Sequence, residues 1–85
     1  MMEAALAELK AAQASREAPA AKLGELQEQY AELGSKAAHA GTEPERTALL
    51  QEQYHVQNAQ APFVKAVAAA DARIRAARLA VGESA

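Results

Sequence analysis

The chain has no cysteine, one phenylalanine and two tyrosines among its 85 residues, and these shortages limit what it can be. Without cysteine there is no disulfide to staple a small fold and no thiolate for a zinc site, which suits a reducing compartment. With aromatics at 4% of a chain that is 51% hydrophobic, most of the apolar surface is alanine methyl, so any core is thin. A single short domain of this kind gains stability chiefly from long helix contacts. Oligomerisation or a bound partner is therefore expected.

Long apolar runs are also missing. Charge is sparse between Arg46 and Lys65, but Glu52 and several glutamines interrupt that stretch, and nothing approaches the roughly 20 apolar residues that span a bilayer. The opening Met1-Met2-Glu3-Ala4-Ala5-Leu6-Ala7-Glu8 carries acids where an export signal carries basic residues, so no cleaved signal is expected. These features predict a cytoplasmic protein without membrane insertion.

Excess positive charge is lacking too. The net charge is −2, and at 100° per residue Arg73 and Arg75 lie about 160° apart on a helix, flanking Ile74 as ion-pairing positions do rather than forming a basic face. Nucleic acid is not an expected partner. Asp71 is the only aspartate, His39 and His55 have no histidine or acidic metal-ligand pattern beside them, and no serine elbow or glycine-rich phosphate loop is present. The expectation is a protein that is not an enzyme, with no catalytic residues, no metal, no cofactor and no small-molecule substrate.

What the chain does have is helical periodicity. Met2, Leu9, Leu23, Tyr30 and Ala37 share one heptad position, and Ala5, Ala12, Leu26, Leu33 and Ala40 share the other, with interruptions at Arg16 and Pro19. Lys36, His39 and Gly41 signal the end of this first helix. Thr42-Glu43-Pro44-Glu45 then reads as an N-cap, a capping-box glutamate at N3 and a proline in the first turn, where its missing amide does no harm. A second seam follows with 3-4 spacing: Leu49, Gln53, Val56, Gln60, Phe63, Val67, Ala70, Ile74, Ala77, Val81. A flanking stripe of Leu50, Tyr54, Ala61, Val64 and Ala68 widens the apolar arc beyond what one facing helix covers.

Together these signals predict an all-α fold, an antiparallel two-helix hairpin formed by one domain over residues 1–85. The expected elements are a helix over 2–39, a turn at 40–42, a helix over 43–81 and a frayed tail at 82–85. Residue i then faces roughly residue 82 − i, which brings Glu3 and Glu8 near Arg78 and Arg73 and sets Pro19 level with Pro62 or Phe63. Kinks are expected near both prolines, at Ser15–Ala18, where Ser15 is placed to cap a restarted helix, and at Asn58–Ala61. An alternative breaks the rods into four helices near 2–17, 19–39, 43–60 and 63–81.

Two further features bear on partners. Leu-Gln-Glu-Gln-Tyr occurs twice, at Leu26–Tyr30 and Leu50–Tyr54, either a chance of composition or a repeated surface; each tyrosine has an apolar body and a polar tip. Gln53, Gln57, Asn58 and Gln60 form an amide cluster, with Gln53 and Gln60 on the seam, where amides can select a partner helix or register.

At the turn, Gly41-x-x-Pro44-Glu45 followed by Leu50-Gln51-x-Gln53 resembles the short helical-hairpin co-chaperones of bacterial type III secretion, which hold needle subunits before export. Asn58-Ala59-Gln60, Val64-Lys65, Asp71 and Ile74 are spaced as in the second helix of needle subunits themselves. Pro62 and Gln57 depart from the needle pattern, and the chain is longer than the co-chaperones at both ends. The resemblance implies a cytoplasmic partner for an aggregation-prone helical subunit, or the subunit itself.

The expected function is thus a protein-interaction or assembly factor that offers an apolar stripe to another helical protein. The alternative is a self-assembling subunit of a filament, needle or phage particle. The expected partner-binding residues are Leu23, Leu26, Tyr30, Leu33, Val56, Phe63, Val64, Val67 and Ile74, with the first-helix members either facing those of the second or sharing the partner.

Overall fold

The computed structural model describes residues 2–84 and contains two helices, α1 (Met2–Ala38) and α2 (Glu43–Ser84). Only residues 39–42 of the described chain lie outside them. The helices pack against each other along their length as an antiparallel hairpin, the all-α architecture that the heptad pattern predicts.

The turn is built from local polar bonds. Thr42 Oγ1 accepts the Glu45 amide at 3.3 Å, and the Thr42 carbonyl accepts the first intrahelical bond of α2, from the Arg46 amide, at 3.1 Å. The returning half of the capping box is displaced by one residue, because Glu45 Oε2 accepts the Gly41 amide at 3.3 Å rather than that of Thr42. On the other side, the Ser35 carbonyl accepts both the His39 amide at 3.2 Å and His39 Nδ1–H at 2.8 Å. The imidazole thus adds a second bond to a carbonyl that the last turn of α1 already pairs with the His39 amide. Gly41 does not end α1 by a left-handed conformation; no glycine among the described residues has positive φ.

Both helices run through their prolines without interruption, so the four-segment alternative does not form. Ser15 caps no restarted helix: its hydroxyl donates to the Ala11 carbonyl at 2.9 Å, a back-bond made inside a continuous helix. α2 also continues past Val81, its expected end, to Ser84; Gly82 sits in the helix with φ < 0, and no proline stops the ladder beyond it. Of the expected tail, Ala85 lies outside the described residues.

The molecule is a rod of 63 × 15 × 15 Å. A 42-residue helix is about 63 Å long at 1.5 Å per residue, so α2 spans the whole rod. Two straight helices lying flat would give Cα traces about 5 Å thick in the thin direction. The equal cross-dimensions therefore mean that the helices wind around each other or bow together.

Every position of the α2 seam, from Leu49 to Val81, is buried or half-buried. On α1 the seam holds except at Met2 and Tyr30, which stay 39% and 37% exposed; Ala20, Gly24 and Gly34 are half-buried instead, so the buried face of α1 shifts toward its small residues. The deepest layer consists of Ala12, Leu26, Ala37, Ala70, Ile74 and Ala77. Four of these six are alanine, so the two helices can approach closely but bury little area per residue.

Candidate interaction surface

The two edges of the seam differ in chemistry. One edge is ionic. Arg73 donates to Glu8 Oε1 through Nε at 3.1 Å and Nη2 at 2.8 Å, and through Nη1 to Ser15 Oγ at 3.3 Å. Toward the turn the same edge carries Gln29, Lys36 and Glu52, which with Glu32, Leu33, His55 and Val56 line an open groove of about 370 Å³. Leu33 and Val56 come from the seam and form its apolar floor, while the other side chains form a polar rim.

The opposite edge is almost free of charge. Spacing of 4-3-4-3-4 places Leu50, Tyr54, Gln57, Ala61, Val64 and Ala68 on one stripe of α2, all exposed, with Leu50 at 47%, Tyr54 at 62% and Val64 at 50%. The charged residues of the facing stretch of α1, namely Lys22, Glu25, Glu28, Glu32 and Lys36, all fall at helical positions away from this edge. Tyr30 borders it. Here Gln53 crosses the seam and donates through Nε2 to the Tyr30 carbonyl at 3.1 Å. Gly34 makes room for that bond, since a Cβ there would stand 2.8 Å from Gln53 Nε2. Further along, Arg16 Nε holds Asp71 Oδ1 at 2.7 Å.

These cross-helix bonds fix the register. Arg73 with Glu8 and Gln53 with Tyr30 fall within one residue of the predicted 82 − i relation, whereas Arg16 with Asp71 and Ser15 with Arg73 lie five and six residues beyond it. No ion pair joins Glu3 to Arg78 among the described residues.

The nine expected partner-binding residues divide unequally. Leu26 and Ile74 are buried in the intramolecular seam, and Leu23, Leu33, Val56, Phe63 and Val67 are half-buried in it. Only Tyr30 and Val64 face outward. The seam therefore uses most of that set inside the hairpin, and the exposed apolar surface belongs to Leu50, Tyr54 and Val64, with Leu6 and Leu79 nearer the open end. Leu79, at 69% exposure, was legible as a leucine off both stripes.

The hydroxyl and imidazole groups near this surface are engaged within the chain. The Ser15 hydroxyl is committed to Ala11 and Arg73, and His39 Nδ1 to the Ser35 carbonyl. His55 meets the Tyr54 ring edge-on, with centroids 6.0 Å apart. Among the described residues no cluster of three or more His, Cys, Asp or Glu side chains is placed to hold a metal ion, and no helix is long and apolar enough to cross a membrane. Compared with protein-family models, curated proteins and solved structures, the chain has no significant match in any of the three.

Proposed function

We propose that the hairpin is a non-catalytic assembly factor of the cytoplasm that completes its core by packing against further helices. The observation that carries this reading is the uncharged stripe through Leu50, Tyr54 and Val64, each about half exposed or more, on a rod with few large side chains buried. Apolar surface of this length is costly to leave in water and is the form taken by helix-docking faces. The groove over Leu33 and Val56 offers a second place for a partner's side chains. The sequence resemblance at Gly41–Gln53 supports a co-chaperone role, in which the partner is a helical subunit of a secretion apparatus held before assembly.

A second reading, a self-assembling structural subunit, is favoured by the exposed alanines Ala59, Ala66, Ala69 and Ala76 on α2, which would let rods stack closely.

The test is in-cell photocrosslinking from position 54, with position 14 on α1 as a control. Adducts at 54 alone support an interaction face, and a ladder of multiples of the chain's own mass favours the structural-subunit reading. Absence of any adduct at 54 would remove the stripe as a binding surface.

A further inference from the structure

The exposed α2 stripe extends at both ends beyond its apolar part, and its extensions are polar in a particular order. At the same 3-4 spacing, Thr47 and Glu43 precede Leu50, while Asp71 and Arg75 follow Ala68. Glu43, Thr47 and Arg75 are exposed and Asp71 is half-buried. The complete series is symmetric in spacing about residue 59. If two copies of α2 run antiparallel across a two-fold axis at that level, residue i of one meets residue 118 − i of the other.

That register pairs unlike with unlike at every step. Leu50 meets Ala68 and Tyr54 meets Val64, so a larger side chain lies opposite a smaller one each time, as interdigitating helices require. Gln57 meets Ala61 near the axis. Outside the apolar part, Thr47 brings a hydroxyl donor opposite the Asp71 carboxylate, and Glu43 brings a carboxylate opposite Arg75. Arg75 has no ion-pair partner within the described chain, and Glu43, whose side chain is 81% exposed, has only Arg46 at 3.7 Å. A parallel pairing would instead set Glu43 against Glu43 and Arg75 against Arg75.

The area agrees. The chain exposes 5,958 Å², whereas a compact protein of 8.9 kDa exposes about 4,800 Å². The surplus of about 1,150 Å² exceeds the roughly 800 Å² that each partner buries in a specific interface, so there is surface enough for one. Its radius of gyration of 19.1 Å likewise exceeds the roughly 12 Å of a compact chain of this length.

We infer that the occupant of this stripe is a second copy of the chain, packed antiparallel through α2 in the 118 − i register to give a four-helix rod. This deepens the assembly-factor reading and rests on its premise that the stripe is a binding face. The groove over Leu33 and Val56 lies on the other edge of the seam and stays open for a helical partner.

The test uses the purified full chain, which has no native cysteine and so accepts single labels cleanly. Light scattering should give twice the chain mass at tens of micromolar, and Val64→Glu should return the mass to that of one chain with helicity largely kept. Nitroxide labels on Arg46→Cys should lie about 39 Å apart, since residue 46 and its symmetry mate are separated by 26 residues of rise at 1.5 Å each. Glu43→Arg and Arg75→Glu should each weaken the dimer at low salt, and the double swap should restore it. A single-chain mass at 200 µM, or labels closer than 20 Å, would overturn the inference. The single-chain result leaves the interaction-face reading to the crosslinking experiment, where adducts at 54 to another protein would sustain it.

Discussion

Glycine-to-alanine substitutions at Gly24 and Gly34 are expected to differ in sign or size although both sit inside α1. In a helix interior alanine is better than glycine by about 0.8–1.0 kcal/mol. At Gly24 a Cβ meets nothing within 4 Å, so Gly24→Ala should stabilise by nearly that amount and raise Tm by about 4–8 °C for a domain of this size. At Gly34 the Cβ would stand 2.8 Å from Gln53 Nε2. The amide is the far end of a flexible side chain and can swing away, but doing so breaks its 3.1 Å bond to the Tyr30 carbonyl. That loss costs about 0.5–1.5 kcal/mol and cancels the gain in helix propensity, leaving Gly34→Ala close to neutral. In a Gln53→Ala background nothing remains to displace, and Gly34→Ala should recover its full stabilisation. The assay is urea unfolding followed by circular dichroism at one fixed chain concentration, because association makes apparent stability depend on concentration. A coupling between positions 34 and 53 of about 0.5–1.5 kcal/mol is expected from the cycle. Equal stabilisation by Gly24→Ala and Gly34→Ala in the unmodified chain would refute the reasoning.

Three further outcomes follow from the same contacts. Arg73→Ala should cost about 0.5–1 kcal/mol, a modest effect because both Arg73 and Glu8 are about half exposed; its coupling to Glu8→Ala should shrink in 1 M salt, and a salt-independent coupling would mean packing rather than charge. Thr42→Ala removes the hydroxyl that accepts the Glu45 amide and should destabilise by about 1 kcal/mol, whereas Thr42→Ser should lie within a few tenths, as thermal melts would show. Pro62→Ala returns an amide to the α2 ladder opposite the Asn58 carbonyl and should stabilise by about 1–3 kcal/mol; a lower Tm would show that the path of the chain at Pro62 is needed to seat Phe63.

Much of the fold could be read from residue order because several signals agreed. The α2 seam repeats at 3-4 spacing for ten positions, Thr42 and Glu45 mark its start, and Glu8 lies close to the mirrored position of Arg73. What could not be read is mostly a matter of which surface goes inside. α2 carries two parallel 3-4 stripes one residue apart, Leu49–Val81 and Leu50–Ala68, and either could in principle face α1. Gly34 makes room for Gln53 across the seam, and with Ala20 and Gly24 half-buried the buried face of α1 turns toward small residues and leaves Tyr30 outside. Phe63, Val67 and Ile74, attractive as partner-binding residues from their size, pack into the hairpin seam, and Val56 is divided between that seam and the groove. The Gln53 bond to a backbone carbonyl depends on a missing Cβ across the seam, a pairing visible only in three dimensions. Residue type suggests capping roles for Ser15 and Gly41, but the helix ladder continues through the first, and α1 ends on the His39 and Ala40 amides without a left-handed glycine.

The turn at residues 39–42 has a consequence for the order in which the rod assembles. It is the one place where both helices are held by short-range bonds, from Thr42 to Glu45 and from His39 to Ser35. Contacts near it join residues close in sequence, such as Tyr30 and Gln53, whereas Glu8 and Arg73 at the other end are 65 residues apart. Closing the distant pair first would carry the larger loop entropy, while closing it after the turn adds only a short stretch at a time. The hairpin should zip from the turn outward and open from the chain ends inward, so amide hydrogen exchange should slow steadily along the rod toward Leu33 and Val56.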